Sequence, residues 1–414
     1  MPKYKKAKRR HKSLFKQRDD IYMKSEDSVS DDNASSFKII KGKKERIRKR
    51  NLIIAGVSFL IAVVIFLISV LSPTGIVEGF NNYFSGFSLR SYFPSAFDGN
   101  ELYGLSIKGK HFYTLSNQTL SSYNLNGKKL FEEHHGFEKP VVALSQTRAL
   151  IYDQSGTALA VFNSKSKILS LDTEFSIYSA DICRNGYFAV ATKAQSYTSA
   201  VTVYDDEGNF VYEWSSPEEI VTSVALSSDG EKIAVSAVKS QNGTYFSSVY
   251  VFNYNSVEPV FEQTYENVFV SSLISDFNKY FCVVSQNKCD FVNWKDFSVT
   301  SYTTENDIKM IRNDSKNTII CEPHSSDDSS NAFTVFNRKH EQALKYEFLG
   351  YVDDYAFVKN NLYVLSGNDV YCINKKGETI KTTQCTFGTV KIVPVSTHSV
   401  IAVSDNSLTE VSFN

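Results

Sequence analysis

The sequence predicts an all-β chain folded as a β-propeller of about eight four-stranded blades, preceded by one transmembrane helix and a disordered basic tail. Three observations support this prediction. A single apolar stretch of twenty residues lies near the N-terminus. Short runs rich in Val, Ile, Tyr, Phe and Thr fill the chain from about residue 98, and an apolar residue followed by Asn or Asp recurs there at intervals near 40 residues.

The apolar stretch runs from Leu52 to Leu71 and contains no charged residue, no Asn, no Gln and no Pro. At about 1.5 Å rise per residue, a helix of this length is about 30 Å long, which matches the hydrocarbon core of a bilayer. The stretch therefore predicts a membrane-spanning helix within residues 51–72, in contact with the lipid bilayer.

The charges on the two sides of this stretch differ in sign. Residues 1–50 carry 18 Lys or Arg and 7 Asp or Glu, whereas residues 72–414 carry 27 and 38. Because basic flanks stay in the cytoplasm, the N-terminus is expected inside and the larger part outside a plasma membrane. Fifty residues precede the stretch and no small-x-small motif follows it, which favours an uncleaved signal anchor over cleavage and release.

Residues 1–50 form a tail with two basic clusters, Lys3 to Lys12 and Lys38 to Arg50, around an acidic and Ser-rich middle. High charge with few apolar residues predicts disorder. The clusters are expected to set the topology and to bind anionic lipid headgroups. Aromatic stacking residues are nearly absent there, which argues against nucleic acid as a partner.

Beyond the span, short β-prone runs are separated by clusters of Gly, Asn, Asp and Ser, and no stretch of twelve or more residues has helical periodicity. Asn and Asp suit the turn after a strand, since both tolerate left-handed backbone and bond nearby N–H groups. The intervals between successive marks, 37, 42, 48, 40, 44, 37 and 40 residues, fit propeller blades. The marks are Leu125-Asn126, Phe162-Asn163, Tyr204-Asp205, Phe252-Asn253, Val292-Asn293, Phe336-Asn337, Ile373-Asn374 and Phe413-Asn414.

The clearest strand–turn–strand unit runs from Val224 to Ser236, with Asp229-Gly230 as its tight turn. This unit resembles the Ser-x-Asp-Gly hairpins of bacterial WD40-like and YVTN-type propellers, and the resemblance covers residues 98–414. The His and Trp-Asp signatures of true WD40 blades are missing. The whole layout is similar to uncharacterised single-pass envelope proteins of Gram-positive bacteria, a resemblance that implies a fold and a location but no activity.

Eight marks predict eight blades, and the chain ends at the eighth mark without an outer strand for the last blade. The juxtamembrane segment, residues 73–97, is expected to supply that strand, chiefly through residues 76–95, and to close the ring. Seven blades is the alternative count if one of the shorter repeats is an insertion, and two packed β-sandwiches are a further alternative.

Six cysteines follow the span, and most of them lie in apolar strand contexts, which predicts buried free thiols rather than disulfides. Cys282 and Cys289 lie on successive strands of one hairpin. If the turn of this hairpin lies at residues 286–288, Val292 rather than Cys289 is expected opposite Cys282. A disulfide bond between Cys282 and Cys289 is therefore not favoured. The six are Cys183, Cys282, Cys289, Cys321, Cys372 and Cys385.

The sequence offers no recognisable chemical site. Neither Cys-x-x-Cys nor His-Glu-x-x-His occurs, and no nucleophile elbow, P-loop or dinucleotide fingerprint is present. Two polar loops contain possible metal ligands, Glu132-Glu133-His134-His135 and His324 with Asp327 and Asp328, but solvated loops account for both. We therefore predict no catalytic residue, no cofactor-binding residue, no metal ligand and no cofactor.

A repeat scaffold without a catalytic constellation predicts a non-enzymatic binding or scaffold module of the cell envelope, whose partner is another envelope protein. The alternative is a propeller-type enzyme, such as a hydrolase, lyase or quinoprotein, with charged residues converging on the central channel. A second alternative is a transmembrane sensor that relays binding outside to the cytoplasmic tail.

Overall fold

The computed structural model describes residues 51–52, 54–60, 91–96, 102–108, 111–275, 279–313, 316–324, 328–404 and 406–413. Residues 51–52 and 54–60 are helical and exposed. The rest of the predicted span, like the basic tail, lies outside the described residues. Among the residues that are described, no helix is both long enough and apolar enough to cross a membrane.

The strands form eight antiparallel sheets of four, numbered here as blades in chain order. Blade 1 contains β2 Leu102–Lys108, β3 His111–Ser116, β4 Thr119–Asn124 and β5 Lys129–His134, and blade 2 contains β6 Pro140–Leu144, β7 Ala149–Asp153, β8 Ala158–Phe162 and β9 Lys167–Asp172. Blade 3 contains β10 Ile177–Ile182, β11 Phe188–Lys193, β12 Ser199–Tyr204 and β13 Phe210–Ser216, and blade 4 contains β14 Ile220–Leu226, β15 Lys232–Gln241, β16 Thr244–Asn253 and β17 Phe261–Glu266. Blade 5 contains β18 Val270–Ser275, β19 Tyr280–Ser285, β20 Lys288–Asn293 and β21 Val299–Thr303, and blade 6 contains β22 Met310–Asn313, β23 Thr318–Pro323, β24 Ser330–Phe336 and β25 Gln342–Leu349. Blade 7 contains β26 Asp354–Val358, β27 Asn361–Ser366, β28 Asp369–Ile373 and β29 Thr379–Gln384, and blade 8 contains β30 Lys391–Ser396, β31 Ser399–Val403, β32 Ser407–Ser412 and, as its outer strand, β1 Ser95–Ala96.

This architecture confirms the predicted all-β propeller of four-stranded blades. The count is eight, so the alternatives of seven blades and of two packed sandwiches are wrong. In blades 1 to 7, each strand pairs with the next along the chain, and in six of the eight pairs of neighbouring blades the two first strands contact each other. The first strands therefore form the inner ring, while the fourth strands are outermost and partly exposed.

The hydrophobic core consists of eight clusters, one between each pair of neighbouring blades. Alternate residues of a strand point to opposite faces of its sheet, so one strand contributes to two clusters. In β31, for example, Val400 and Ala402 pack against blade 7, whereas Ile401 and Val403 pack against blade 1. Burial on both faces explains why the second strands are almost continuously apolar.

The last blade obtains its outer strand from the segment that precedes the first blade. Ser95 and Ala96 pair antiparallel with Leu408 and Ser407 of β32. Phe93 packs into the cluster between blades 8 and 1, and the Ser95 hydroxyl donates to the carbonyl of Gly127 at 2.5 Å. The strand lies at the end of the segment expected for this role, and the residues 76–90 of that segment are outside the described part.

The recurring Asn or Asp ends the third strand and organises the turn to the fourth. In blade 7, the Asn374 side-chain oxygen accepts the N–H groups of Lys376 and Glu378 at 2.8 and 3.2 Å. In blade 1, Asn124 makes the equivalent bonds, so the expected mark Leu125-Asn126 is wrong by two residues. Tyr123-Asn124 and Leu125-Asn126 both have an apolar or aromatic residue before Asn, and only the hydrogen bonds of the Asn124 side chain distinguish them.

Side chains of the inner strands accept N–H groups from the next blade. The amide of Leu226 donates to Asp181 at 2.8 Å, and that of Leu273 donates to Ser223 at 3.0 Å. The amide of Ile392 donates to the fully buried Asp354 at 2.8 Å. Inner strands have one edge without a strand neighbour, and these bonds satisfy part of that edge.

Asp354 also holds two cations from the blades on either side. The Arg312 guanidinium of blade 6 donates to the Asp354 carboxylate and to the Tyr355 carbonyl. Lys391 of blade 8 lies 3.6 Å from the same carboxylate. One buried side chain thus connects the inner strands of three consecutive blades.

The described cysteines are all free, as predicted, and only Cys385 is not buried. Burial raises the pKa of the Cys183 and Cys321 thiols to about 12, which keeps them protonated and unreactive. The residue opposite Cys282 is Phe291, not the expected Val292, because the hairpin turn contains two residues rather than three. The conclusion that Cys282 and Cys289 are not bonded holds.

Gly377→Ala is expected to destabilise the protein by about 1 kcal/mol, because Gly377 has a φ of +82° in the blade 7 turn. A Cβ there would meet no atom within 4 Å, so the cost is conformational and not steric. Urea unfolding measures this loss in the free energy of unfolding. Gly377→Asn serves as control and should lose less than half as much, since Asn tolerates this backbone; equal losses would contradict the assignment.

Arg312→Met should destabilise the protein by about 2 to 3 kcal/mol, because it leaves the buried Asp354 carboxylate with only Lys391 as a cationic partner. The matched control is Arg184→Met in an exposed turn, expected to change stability by less than about 0.5 kcal/mol. Similar unfolding midpoints for the two variants would show that the charge network does not hold the inner ring.

Candidate functional site

The two ends of the propeller differ in the kind of loop they carry. Because strands alternate in direction, the blade-to-blade connectors and the loops between second and third strands share one end, called here the connector face. The turns between first and second strands and between third and fourth strands share the other end, called the turn face. The connectors are the segments between β5 and β6, β9 and β10, β13 and β14, β17 and β18, β21 and β22, β25 and β26, and β29 and β30.

Exposed large apolar side chains concentrate on the connector face. Eight of those in the described propeller lie there, and five of the eight are aromatic. They are Tyr197, Ile220, Tyr245, Phe269, Leu349, Tyr351, Phe387 and Val390. The turn face and its approach carry Tyr92, Phe210, Val257, Val260, Val299 and Ile380. Single exposed apolar residues need no explanation, but a group of them marks a candidate contact surface.

Four of these residues occupy two successive connectors, and we call them the apolar patch: Leu349, Tyr351, Phe387 and Val390. Leu349 and Phe387 are both 86% exposed, and Tyr351 is 60% exposed. Leu349 ends β25, and Tyr351 follows in the connector from blade 6 to blade 7. Phe387 and Val390 lie in the next connector, which leads to blade 8.

Polar contacts hold the backbone of these connectors while their apolar side chains face solvent. The Asn331 amide donates to the carbonyl of Gly350 at 2.8 Å, which positions the residue between Leu349 and Tyr351. The carboxylate of Asp353 accepts the Gly367 N–H at 2.6 Å. In the second connector, the Thr389 hydroxyl donates to the carbonyl of Thr386 at 2.6 Å. The patch is therefore presented on anchored backbone.

Charged groups lie on the inner strands of blades 6, 7 and 8, which the two connectors of the patch join. Asp354 and Lys391 begin the inner strands that follow the two connectors. Lys391 retains 38% of its side-chain exposure and Arg312 retains 35%, whereas Asp354 is fully buried. The Arg312 guanidinium also lies 4.9 Å from the centre of the Tyr355 ring. The patch thus combines exposed apolar side chains with two partly exposed cations at its inner edge.

A second group of exposed apolar residues lies on blades 3 to 5 of the connector face. The Tyr245 hydroxyl donates to the carbonyl of Asn267 at 2.9 Å, which places this ring beside the connector that carries Phe269. The Thr198 hydroxyl donates to the Pro217 carbonyl at 2.7 Å and joins the Tyr197 loop to the connector that precedes Ile220. This group is less exposed than the apolar patch.

The described residues of the two polar segments considered as sources of metal ligands are not brought together into a metal cluster. Residues 132–134 belong to strand β5 and not to a loop, so that expectation is wrong. Alternation in β5 separates their side chains, and Glu133 accepts a bond from Lys167 at 2.8 Å. Asp328 is paired with Lys309 at 3.1 Å, and Asp327 lies outside the described residues. No cluster of three or more His, Cys, Asp or Glu suited to a metal occurs in the described chain.

His135 fixes the first connector instead of binding a metal. Its Nδ1 accepts the N–H of Phe137 at 3.0 Å, and its Nε2 lies 3.0 Å from the Ser116 carbonyl. An imidazole that accepts at one nitrogen and donates at the other is neutral. Burial lowers the pKa of His135 below its ordinary value, in agreement with this role.

The described inner strands bring few charged side chains toward the axis. Those resolved there are Asp181, Arg312, Asp354 and Lys391, and each has a partner within the ring. Their bonds join neighbouring blades, which is a structural use.

The apolar patch has the composition of a protein contact surface. Aromatic residues and Arg are enriched at the centre of interfaces, where a few well-placed side chains contribute most of the binding free energy. Sequence reasoning did not find this patch. Its only sequence signal is the presence of Leu-Gly-Tyr and Thr-Phe-Gly after strands of alternating pattern, and that signal has meaning only once the connectors are known to share one face.

The propeller is similar to several solved structures. BamB from Moraxella catarrhalis is 15% identical with a TM-score of 0.50, and the match covers 79% of this chain and all of that one. The β-propeller domain of Cps50 (Swd1) from Myceliophteria thermophila is 9% identical with a TM-score of 0.47, covering 77% of this chain and 99% of that domain. An identity this low shows the fold alone, and the match to BamB confirms the resemblance to WD40-like propellers at the level of the fold.

A comparison with curated proteins gives no match. A family model, described as a family of unknown function, matches residues 95–413, from the ring-closing strand to the last residue of the eighth blade that the structure describes. Because this match covers more than half of the sequence, the chain belongs to the family DUF5711.

Proposed function

We propose that this protein is a non-enzymatic binding or scaffold module of the cell envelope, with its propeller outside the plasma membrane and a single membrane-spanning anchor at residues 52–71. The observation that carries the binding role is the apolar patch on the connector face. Its partner is another envelope protein that covers the patch.

The exposed area of the patch supports a protein as partner more than a small ligand. Small ligands bind in concave, largely buried pockets, whereas Leu349, Tyr351 and Phe387 are largely exposed to solvent. The two partly exposed cations at its inner margin, Arg312 and Lys391, favour a partner that brings an acidic group to the same place.

The anchor remains a proposal based on the sequence. An uninterrupted run of twenty apolar residues supports it, together with the excess of basic residues before the run and of acidic residues after it. Tethering raises the effective concentration of the propeller near other membrane proteins, which suits a scaffold that binds with modest affinity.

The double substitution Leu349→Ser with Phe387→Ser should dissociate the native complex, since removal of two hot-spot side chains costs about 2 to 4 kcal/mol of binding free energy each. The complex is measured by native electrophoresis of detergent extracts from the source membrane. The matched control, Phe210→Ser with Val257→Ser, removes similarly exposed apolar residues from the turn face and should leave the complex intact.

The thiol of Cys385 provides an independent readout beside the patch. It is the only described cysteine that is not buried, and it lies two residues before Phe387. Alkylation of Cys385 should be slower in the native membrane than in the purified protein. A protein that migrates as a monomer from its own membrane, with equal alkylation rates in both states, would contradict a partner on this face.

A further inference from the structure

The turn face carries a localised band of positive charge that the binding role of the connector face does not use. In blades 1, 2, 5, 6 and 7, the turn between the third and fourth strands contains one or two Lys or Arg shortly after the Asn that organises it. We call these nine residues the basic arc: Lys128, Lys129, Lys165, Lys167, Lys295, Arg338, Lys339, Lys375 and Lys376.

The arc lies on one side of the ring, on blades 5 to 7 and blades 1 and 2, with blade 8 between them. The corresponding turns of blades 3 and 4 contain no basic residue and four acidic ones, Asp205, Asp206, Glu207 and Glu258. Because the ring is closed, blades 5, 6, 7, 8, 1 and 2 are consecutive, and blade 8 lacks such a turn since its fourth strand is β1. The five turns of the arc contain only three acidic residues, Asp296, Glu341 and Glu378.

Most of the arc is available to an external anion. All nine side chains belong to exposed residues. Lys129 is paired with Glu132 at 2.5 Å and Lys167 with Glu133 at 2.8 Å. Six others form no ion pair with any acidic side chain that the structure describes: Lys128, Lys165, Lys295, Lys339, Lys375 and Lys376.

The Asn-organised turns hold these side chains outward. In blade 6, the Asn337 oxygen accepts the N–H of Lys339 at 2.7 Å, and in blade 5 the Asn293 oxygen accepts that of Lys295 at 2.9 Å. In blade 2, Asn163 accepts the N–H of Lys165 at 2.8 Å. The backbone of Lys165, Lys295 and Lys339 is therefore fixed at an exposed position of its turn.

The described N-terminal segment, residues 91–96, lies beside the blade 1 turn of this arc. Residues 91–94 run beside the blade 1 turn, where the Tyr92 N–H donates to the Asn126 carbonyl at 2.8 Å and Phe93 contacts Gly127. About twenty residues further toward the N-terminus, the sequence predicts the membrane span that ends at Leu71. The first described residues before blade 1, which follow the predicted anchor in the sequence, therefore lie next to a turn of the basic arc.

We propose that the basic arc binds the anionic headgroups of the bilayer surface and so holds the turn face of the propeller against the membrane, leaving the connector face pointing away from it. This inference rests on the proposed anchor but is independent of the apolar patch. A negatively charged membrane surface attracts basic side chains within about a Debye length, which is about 8 Å at physiological ionic strength.

The test uses the full-length chain reconstituted in vesicles, with a fluorescent label at Ser166→Cys in a Cys385→Ser background. Ser166 is exposed in the blade 2 turn of the arc. Vesicles contain either phosphatidylcholine alone or an equal mixture with phosphatidylglycerol, each with a trace of lipid carrying a nitroxide headgroup as quencher. Flotation with pure phosphatidylcholine vesicles reports the span alone, so failure of the anchor and failure of the arc are distinguished.

Quenching should be at least threefold greater with phosphatidylglycerol than without it and should fall to the phosphatidylcholine level in 0.5 M salt. The triple substitution Lys295→Gln, Lys339→Gln and Lys376→Gln should abolish the difference, since each charge contributes about fivefold to the association. The control triple, Lys139→Gln, Lys193→Gln and Lys345→Gln, changes the net charge equally outside the arc and should leave quenching unchanged.

A second label on the native Cys385, on the connector face, should show no quenching that depends on phosphatidylglycerol. Equal quenching of the Ser166→Cys label in both kinds of vesicle would overturn the proposal. So would an equal loss of phosphatidylglycerol-dependent quenching in the arc triple variant and in the control triple variant. Binding of soluble polyglycerol phosphate by the arc with no effect of the lipid headgroup would also overturn it and assign the arc to an anionic wall polymer.

Discussion

Closure of the ring by β1 is the contact on which the rest of the arrangement depends. Without Ser95 and Ala96, the edge of β32 would be open, and the cluster between blades 8 and 1 would lose Phe93. An open sheet edge is a template for pairing with other chains. The same segment places Tyr92 beside the blade 1 turn, where its N–H donates to the Asn126 carbonyl at 2.8 Å.

The closed ring gives two faces with different chemistry. Connectors between blades present exposed apolar side chains, most densely at blades 6 to 8, and the buried carboxylate of Asp354 ties those three blades together at their inner strands. The turns on the other face present lysines on fixed backbone. The proposed division of roles follows from this separation, with a protein partner on the first face and a lipid surface on the second.

The sequence predicted the repeated unit well because its determinants are local. Strand periodicity, the Asn or Asp that caps each third strand and the need for a closing strand can all be read without contacts. Register could not be read in the same way. Leu125-Asn126 and Tyr123-Asn124 fit one pattern, and only the bonds of Asn124 to Asn126 and Lys128 identify the residue that organises the turn.

The candidate surfaces could not be predicted, since both depend on which loops share a face. The basic residues after the Asn in five of the turns are visible in the sequence, but they come to one side of the ring only because it closes between blades 8 and 1. Residues 132–134 show the opposite failure, because a charged strand on the outer edge of a blade has the composition of a loop.

Hydrogen exchange at β32 tests ring closure most directly. In the full-length chain, the amides of residues 407 and 408, which lie opposite β1, should be protected, and Ser95→Pro with Ala96→Pro should speed their exchange at least tenfold while β27 of blade 7 keeps its rate. Proline removes the N–H groups that a ladder strand needs. Unchanged exchange at β32 in the proline variant would show that the N-terminal segment does not close the ring.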